Sequence, residues 1–162
     1  MAQEEKKPLK PENVEFGFQY LYALRELQLK GADKTKLDSV ADAAARMFLI
    51  GWGLSLDEVD EANRVFWSRL EKNELGNLQT ALQNLKSRVG GNPSDVNHFV
   101  VEACAVAAMD LDLSEGEVGF INVLKDLFDL RQSDVMTLLE RGYNTAIGLR
   151  FFGNEYVKSN PK

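Results

Sequence analysis

The sequence has few of the residues that cross-link chains or interrupt helices. It contains one cysteine and four prolines, and the prolines lie near the two ends or at one loop. A single cysteine excludes a disulfide within the chain. Because Cys104 lies in an apolar stretch, we expect it to be a small buried side chain. The placement of the prolines leaves the interior of the chain open to uninterrupted helices.

The sequence also lacks a long apolar run and a cluster of basic residues. The longest apolar run, residues 103–109, is too short to span a bilayer, and the charged N-terminus has no apolar core of the kind found in signal peptides. The net charge is −6 and the Lys and Arg residues are scattered, which argues against a nucleic-acid partner. We therefore expect a cytoplasmic protein with no membrane insertion and no nucleic-acid partner.

Helical periodicity, in contrast, runs through nearly the whole chain. It predicts an all-α fold, a compact bundle of seven to eight helices in a single domain at residues 11–157. Residues 1–10 are predicted to be a disordered lead-in, and residues 158–162 a frayed C-terminus. A short seventh helix is expected after Ser133 and a last one near residues 145–157. Residues 99–109 are apolar almost all round, so their helix is predicted at the centre.

Two helical hairpins repeat one pattern. In each hairpin an Ala-rich helix leads into a loop, and a serine then opens the next helix. That serine and a glutamate three positions later are spaced for a capping box, in which each side chain bonds the backbone amide of the other residue. We interpret the pattern as an internal duplication around which the bundle is built. The matched pairs are Leu54 and Leu113, Ser55 and Ser114, Glu58 and Glu117, Val59 and Val118, and Asn63 and Asn122.

The second copy, residues 109–118, resembles the signature of the TerB-like helical domains of tellurite-resistance proteins. In that family an Ala-rich helix is followed by an Asp, an aliphatic residue, a cap and a Glu. These places are taken here by Asp110, Leu113, Ser114 and Glu117. Leu111 stands where the family usually has Gly, and Gly51 replaces the Asp of the first copy, so the chain is similar to a divergent member. The resemblance implies a non-enzymatic module associated with stress response, whose acidic residues hold a divalent cation.

The acidic loop before the sixth helix is the candidate metal site. Residues 89–124 contain six carboxylates and no Lys or Arg. Asp110, Asp112 and Glu117 could converge on one hard cation, Ca²⁺ or Mg²⁺, although no cofactor is certain. In the alternative interpretation, Asp112 and Glu117 only favour the positive end of the sixth helix.

Two further groups of residues leave alternatives open. His98 and Glu102 lie one helical turn apart, which suits metal ligation or proton transfer, but a structural or surface hydrogen bond is the simpler interpretation. The aromatic cluster near the C-terminus either closes the core over the first helix or forms an exposed patch for a partner or a second copy. That cluster consists of Tyr143, Phe151, Phe152 and Tyr156.

The sequence predicts no enzymatic activity. It has no glycine-rich phosphate loop, and its one histidine and buried-looking Cys104 do not suggest a nucleophile pair. The leading expectation is a TerB-like module that binds other proteins or forms a homodimer, with a weak divalent-cation site. The alternative is a sensor or carrier of a small apolar ligand, with a pocket between the first and last helices.

Overall fold

The computed structural model describes residues 7–29, 39–109 and 115–159, with the side chains of all of these except residues 28, 29 and 152–159. Within these ranges the chain forms seven helices and no strand, which confirms the predicted all-α bundle. The helices are α1 (Pro11–Leu29), α2 (Ser39–Gly51), α3 (Leu56–Glu71), α4 (Leu78–Val89), α5 (Pro93–Ala107), α6 (Glu115–Leu127) and α7 (Gln132–Ser159).

Local capping explains where three of the helices begin. Ser55 caps α3, and both hydrogen bonds of the predicted capping box with Glu58 are present. Asn77 and Asn92 cap α4 and α5 in the same way, each accepting a hydrogen bond from a backbone amide two residues later. Gly53 has a φ of 97°, which only glycine adopts readily, and this allows the sharp turn between α2 and α3. The matching cap predicted at Ser114 lies outside the described residues.

The C-terminal part of the chain is one helix, not the two that were predicted. α7 runs without a break through Gly142 and Gly148. Glycine inside a helix costs about 1 kcal/mol relative to alanine. At position 142 close packing offsets this cost, because a Cβ there would overlap Cβ of Cys104 on α5. The tight contact between α5 and α7 therefore requires the glycine.

Two helices occupy the centre of the bundle. The predicted burial of residues 99–109 is confirmed, since every described side chain there is buried except the half-buried Val101. α1 is just as deep. It packs against α2, α3, α4, α5 and α6, and residues 16–25 are buried on all sides. A Cβ on Gly17 would lie 2.8 Å from Cβ of Ala62, so α1 and α3 are in close contact.

The two predicted hairpins are present as α2–α3 and α5–α6, and their match is partial. The repeated glutamates Glu58 and Glu117 are both buried at the start of the second helix of each hairpin. Val59 is buried, whereas its counterpart Val118 is 43% exposed. The reason is that α3 packs against α1 along its length, while α6 makes smaller contacts with α1, α4 and α5.

Candidate functional site

The predicted cation site falls mostly outside the part of the chain that can be described. Asp110 and Asp112 are not among the described residues. Glu117 is, and its side chain is buried in the first turn of α6. Within residues 7–29, 39–109 and 115–159, no three His, Cys, Asp or Glu side chains are close enough together to hold a metal ion. A site for Ca²⁺ or Mg²⁺ formed by Asp110, Asp112 and Glu117 therefore stays a prediction.

Glu58 shows what the repeated glutamate does in the first hairpin. Its carboxylate accepts hydrogen bonds from the backbone amides of Ser55, at 3.0 Å, and of Lys10, at 2.9 Å, and from Nδ2 of Asn13, at 3.2 Å. The amide of Ser55 makes the largest contribution to lowering the pKa of Glu58, and these donors together outweigh the opposing effect of burial. Glu58 thus ties the segment before α1 to the start of α3, which is a structural role.

A second buried glutamate, Glu102, lies where α1, α2 and α5 meet. Its Oε1 accepts hydrogen bonds from the hydroxyl of Tyr20, at 3.0 Å, and from Nε1 of Trp52, at 2.6 Å. Its Oε2 lies 3.5 Å from Nε2 of His98, one turn earlier on α5. Of the interpretations open for His98 and Glu102, this arrangement supports a structural contact. We call these four residues the Glu102 cluster.

The Glu102 cluster connects the core to the surface. Tyr20 is fully buried and Glu102 is 4% exposed, whereas the side chain of His98 is 66% exposed. Burial raises the pKa of Glu102 to about 7, and the two hydrogen-bond donors oppose this rise without cancelling it. Burial, together with the neighbouring carboxylate, also holds the pKa of Tyr20 well above its usual value. Glu102 therefore changes its charge near neutral pH.

Arg25 forms a buried ion pair in another part of the core. Its Nε lies 2.8 Å from Oδ1 of Asp42 on α2, and its guanidinium also donates to the side chain of Asn63 on α3. The same group stacks over the rings of Phe66 and Trp67, at 4.5 and 4.9 Å from their centroids. These contacts join three helices, so we assign Arg25 a structural role.

Cys104 has the properties of a packing residue. It is fully buried in the contact between α5 and α7, and burial raises the pKa of its thiol to about 12. Nucleophilic cysteines need an accessible thiolate near neutral pH. The thiol of Cys104 is therefore unsuited to that chemistry.

A groove lies on the surface between α5 and α7, next to the Glu102 cluster. Its volume is about 700 Å³, and six of its seven lining side chains carry hydrogen-bonding groups. We call it the α5–α7 groove. It is lined by Ser94, Asn97, His98 and Val101 from α5 and by Arg141, Asn144 and Thr145 from α7.

A row of exposed apolar side chains follows α7. These residues are four or seven positions apart, so they share one face of the helix. We call this row the α7 stripe: Met136 (56% exposed), Tyr143 (39%), Ile147 (44%) and Phe151 (61%). Two members of the predicted aromatic cluster are thus at the surface, which favours the exposed-patch interpretation. The side chains of the other two, Phe152 and Tyr156, lie outside the described residues.

Comparison with models of known protein families, with curated proteins and with solved structures yields no match to this chain. Among the described helices, none combines the length and the apolar character that a bilayer crossing demands.

Several residues of the Glu102 cluster and of the α5–α7 groove could not be predicted from the sequence. It paired Glu102 with His98 because they are four residues apart on one helix. It could not find Tyr20, which is 82 positions from Glu102, or Trp52, which is 50 positions away. Arg141 gave no signal either, because nothing in its local sequence separates it from any other arginine on a helix.

Proposed function

We propose that this chain is a non-catalytic helical module of the cytosol that binds a partner protein, and that the α7 stripe receives an amphipathic helix of that partner. The observation that carries the proposal is the α7 stripe itself. The resemblance of residues 109–118 to TerB-like domains supports the same class of function. The burial of the thiol of Cys104 and the structural bonding of Glu58 support a non-catalytic role.

The α7 stripe lies on a different face of α7 from the one that packs in the core. The opposite face of α7 already packs against the core through Val135, Leu138, Gly142 and Ala146. A helix at the surface of a protein normally has one apolar face, turned inward. A second apolar face that extends from residue 136 to residue 151, or about 22 Å at 1.5 Å per residue, is typical of an interaction surface.

The spacing of the α7 stripe favours a helix as its partner. Residues 143, 147 and 151 form a ridge of the i, i+4 type, which packs into the groove between corresponding ridges of another helix. The described part of the chain has no strand to which an extended peptide could add. An α-helix with its own apolar face is therefore the shape that fits.

The charges around the α7 stripe indicate what charge the partner helix carries. Glu140 lies between Met136 and Tyr143 on the same face of α7, is exposed, and makes no ion pair with any described residue. The whole chain carries a net charge of −6. A partner helix with a Lys or Arg opposite Glu140 would complement both features, so the proposed partner is a basic amphipathic helix.

No observation favours the alternative of a small apolar ligand held between the first and last helices. α5 lies between α1 and α7, with contacts to both. The groove found beside α7 is formed with α5 and is lined mainly by polar side chains.

Site-specific photo-crosslinking in the natural host tests the proposal. A photoreactive amino acid in place of Ile147 should crosslink to one protein, and mass spectrometry of the crosslinked peptide should place the contact on a basic amphipathic helix. A peptide of that sequence should then bind the purified chain, and Ile147→Glu should abolish this binding because it places a charge in the apolar contact.

The control is Met47, which is 69% exposed on α2 and outside the α7 stripe. A photoreactive group at position 47 should not give the same crosslink, and Met47→Glu should bind the peptide like the wild type. The proposal is overturned if position 147 crosslinks no more than position 47. It is also overturned if the crosslinked partner is a second copy of this chain, with a dimer in light scattering that Ile147→Glu dissociates.

A further inference from the structure

The α5–α7 groove is built as a cleft between two helices with their polar side chains facing each other. Ser94, Asn97 and His98 lie on one side, and Arg141 and Asn144 lie on the other. Val101 is the one apolar lining side chain. A volume of about 700 Å³ is within the range of pockets that hold small molecules. None of the side chains that line the groove is a carboxylate.

Arg141 differs from the other arginines of the chain. Among the described residues, the seven others each have a polar partner: Arg25 and Arg46 pair with Asp42, Arg64 with Glu61, Arg69 with Glu15, Arg131 with Asp134, Arg88 bonds Asn13, and Arg150 bonds the carbonyl of Met109. For Arg141 no such side-chain partner is found in the described part of the chain. Its five N–H donors are therefore available at the edge of the groove.

His98 is held in place beside the same groove. Its ring packs edge-on against Trp52, with the centroids 5.7 Å apart, and its Nε2 faces the carboxylate of Glu102. The carboxylate and the indole ring together fix the orientation of the imidazole. The Glu102 cluster thus holds the imidazole of His98 at the edge of the groove.

The remaining lining groups can donate further hydrogen bonds. The amides of Asn97 and Asn144 supply N–H donors and Ser94 supplies a hydroxyl. The hydroxyl of Thr145 already donates to the carbonyl of Arg141, at 2.8 Å, so it is left as an acceptor. Several donors around one planar guanidinium suit the three terminal oxygens of a phosphate monoester.

From these contacts we propose that the α5–α7 groove binds the phosphate group of a small phosphorylated metabolite, with Arg141 as its main ligand. Arg141 donates two parallel hydrogen bonds to two phosphate oxygens, and the side chains of Asn97, Asn144 and Ser94 reach the third oxygen and the ester end. The site is separate from the α7 stripe and does not depend on the proposed partner helix.

The test is an NMR titration of the full chain with glycerol 3-phosphate and with inorganic phosphate, at constant ionic strength. We expect saturable shifts of the Arg141 Nε–H signal and of the side-chain amide signals of Asn97 and Asn144. Acetate and glycerol at the same concentrations should not produce them. Arg141→Gln should weaken binding at least about tenfold, because it removes a charged bidentate contact.

Two variants keep the test interpretable. Arg64→Gln removes an exposed arginine on α3 and should bind like the wild type. Asn144→Asp places a carboxylate in the groove and should abolish binding even if Arg141→Gln does not fold. The proposal is overturned if neither phosphate compound gives saturable shifts, if acetate gives equal ones, or if binding survives unchanged in a folded Arg141→Gln or Asn144→Asp protein.

Discussion

Glu58 and Glu102 are both buried glutamates, and their surroundings shift their pKa values in opposite directions. Glu58 lies at the first turn of α3, where two backbone amides and one side-chain amide point at its carboxylate. Glu102 lies deeper, on α5, with the Tyr20 hydroxyl and the Trp52 indole N–H on one of its oxygens and His98 near the other. The first carboxylate has its pKa lowered, and the second has its pKa raised to about 7.

The difference shows that burial alone does not decide whether a carboxylate is charged. Backbone amides at a helix start are fixed donors, and they compensate for the loss of water around Glu58. The two donors on Glu102 are not enough to do so. Glu58 therefore stabilises the fold above its ordinary pKa of 4.5, and this contribution is lost as the pH falls through its lowered pKa. The contribution of Glu102 to stability has the opposite pH dependence. It is present below pH 4.5 and is lost as the pH rises to about 7.

The largest expected effect comes from Glu102→Gln. A pKa raised from 4.5 to about 7 corresponds to about 3 kcal/mol of stability lost by the wild type between these two pH values. Glutamine cannot ionise, but its oxygen can still accept the hydrogen bonds of Tyr20 and Trp52. The free energy of unfolding of Glu102→Gln, measured by urea titration from pH 4.5 to 8, should lack this decrease.

Glu140→Gln serves as the control, because Glu140 is exposed on α7 and should leave the pH profile of the wild type unchanged. A Glu102→Gln protein with the full wild-type decrease would mean that Glu102 is ionised in the fold throughout this range.

The next effect is that of Glu58→Ala, which should destabilise the protein by about 2 kcal/mol at pH 7. It breaks the capping box and leaves the amides of Ser55 and Lys10 without their acceptor. Urea unfolding at pH 7 measures the loss, and Asp60→Ala, at an exposed acid of the same helix, should change it little. If both variants cost the same, the tertiary bonds of Glu58 contribute nothing measurable.

The smallest expected effect is that of a substitution at Ser55 that removes the hydroxyl and keeps the backbone amide. Ser55→Ala removes one capping hydrogen bond and should cost about 1 kcal/mol. Because alanine keeps the amide that contributes most to lowering the pKa of Glu58, we expect that pKa to stay below 4.5 in the variant. Carbon-13 NMR of the Glu58 carboxyl measures it, with Ser87→Ala on α4 as a stability control. A Glu58 pKa that returns to 4.5 would show that the hydroxyl, not the amide, is responsible.

The same pair of glutamates shows which parts of the sites could be predicted. The bond between Ser55 and Glu58 joins residues three positions apart, so the sequence pattern was enough to predict it. The contacts of Glu102 with Tyr20 and Trp52 join residues 82 and 50 positions apart. No local pattern encodes such contacts, because they depend on how α1, α5 and the turn after α2 pack together.

The C-terminal helix gives a second example. Periodicity identified its helical segments, and the sequence placed Tyr143 and Phe151 in an aromatic cluster without deciding whether they were buried. The need for glycine at position 142 comes from Cys104, which lies on another helix. The exposure of the α7 stripe likewise depends on which face of α7 the neighbouring α5 covers.

The sequence by itself determined the all-α class, the cap at Ser55 and the burial of residues 99–109. These follow from propensity, capping and apolar periodicity, which act over a few residues. Only the tertiary structure decided that α1 shares the centre with α5, that Glu102 is enclosed while His98 reaches the surface, and that Arg141 faces a groove. These features arise from the packing of helices far apart in the chain, and the energy of such contacts exists only once the bundle has formed.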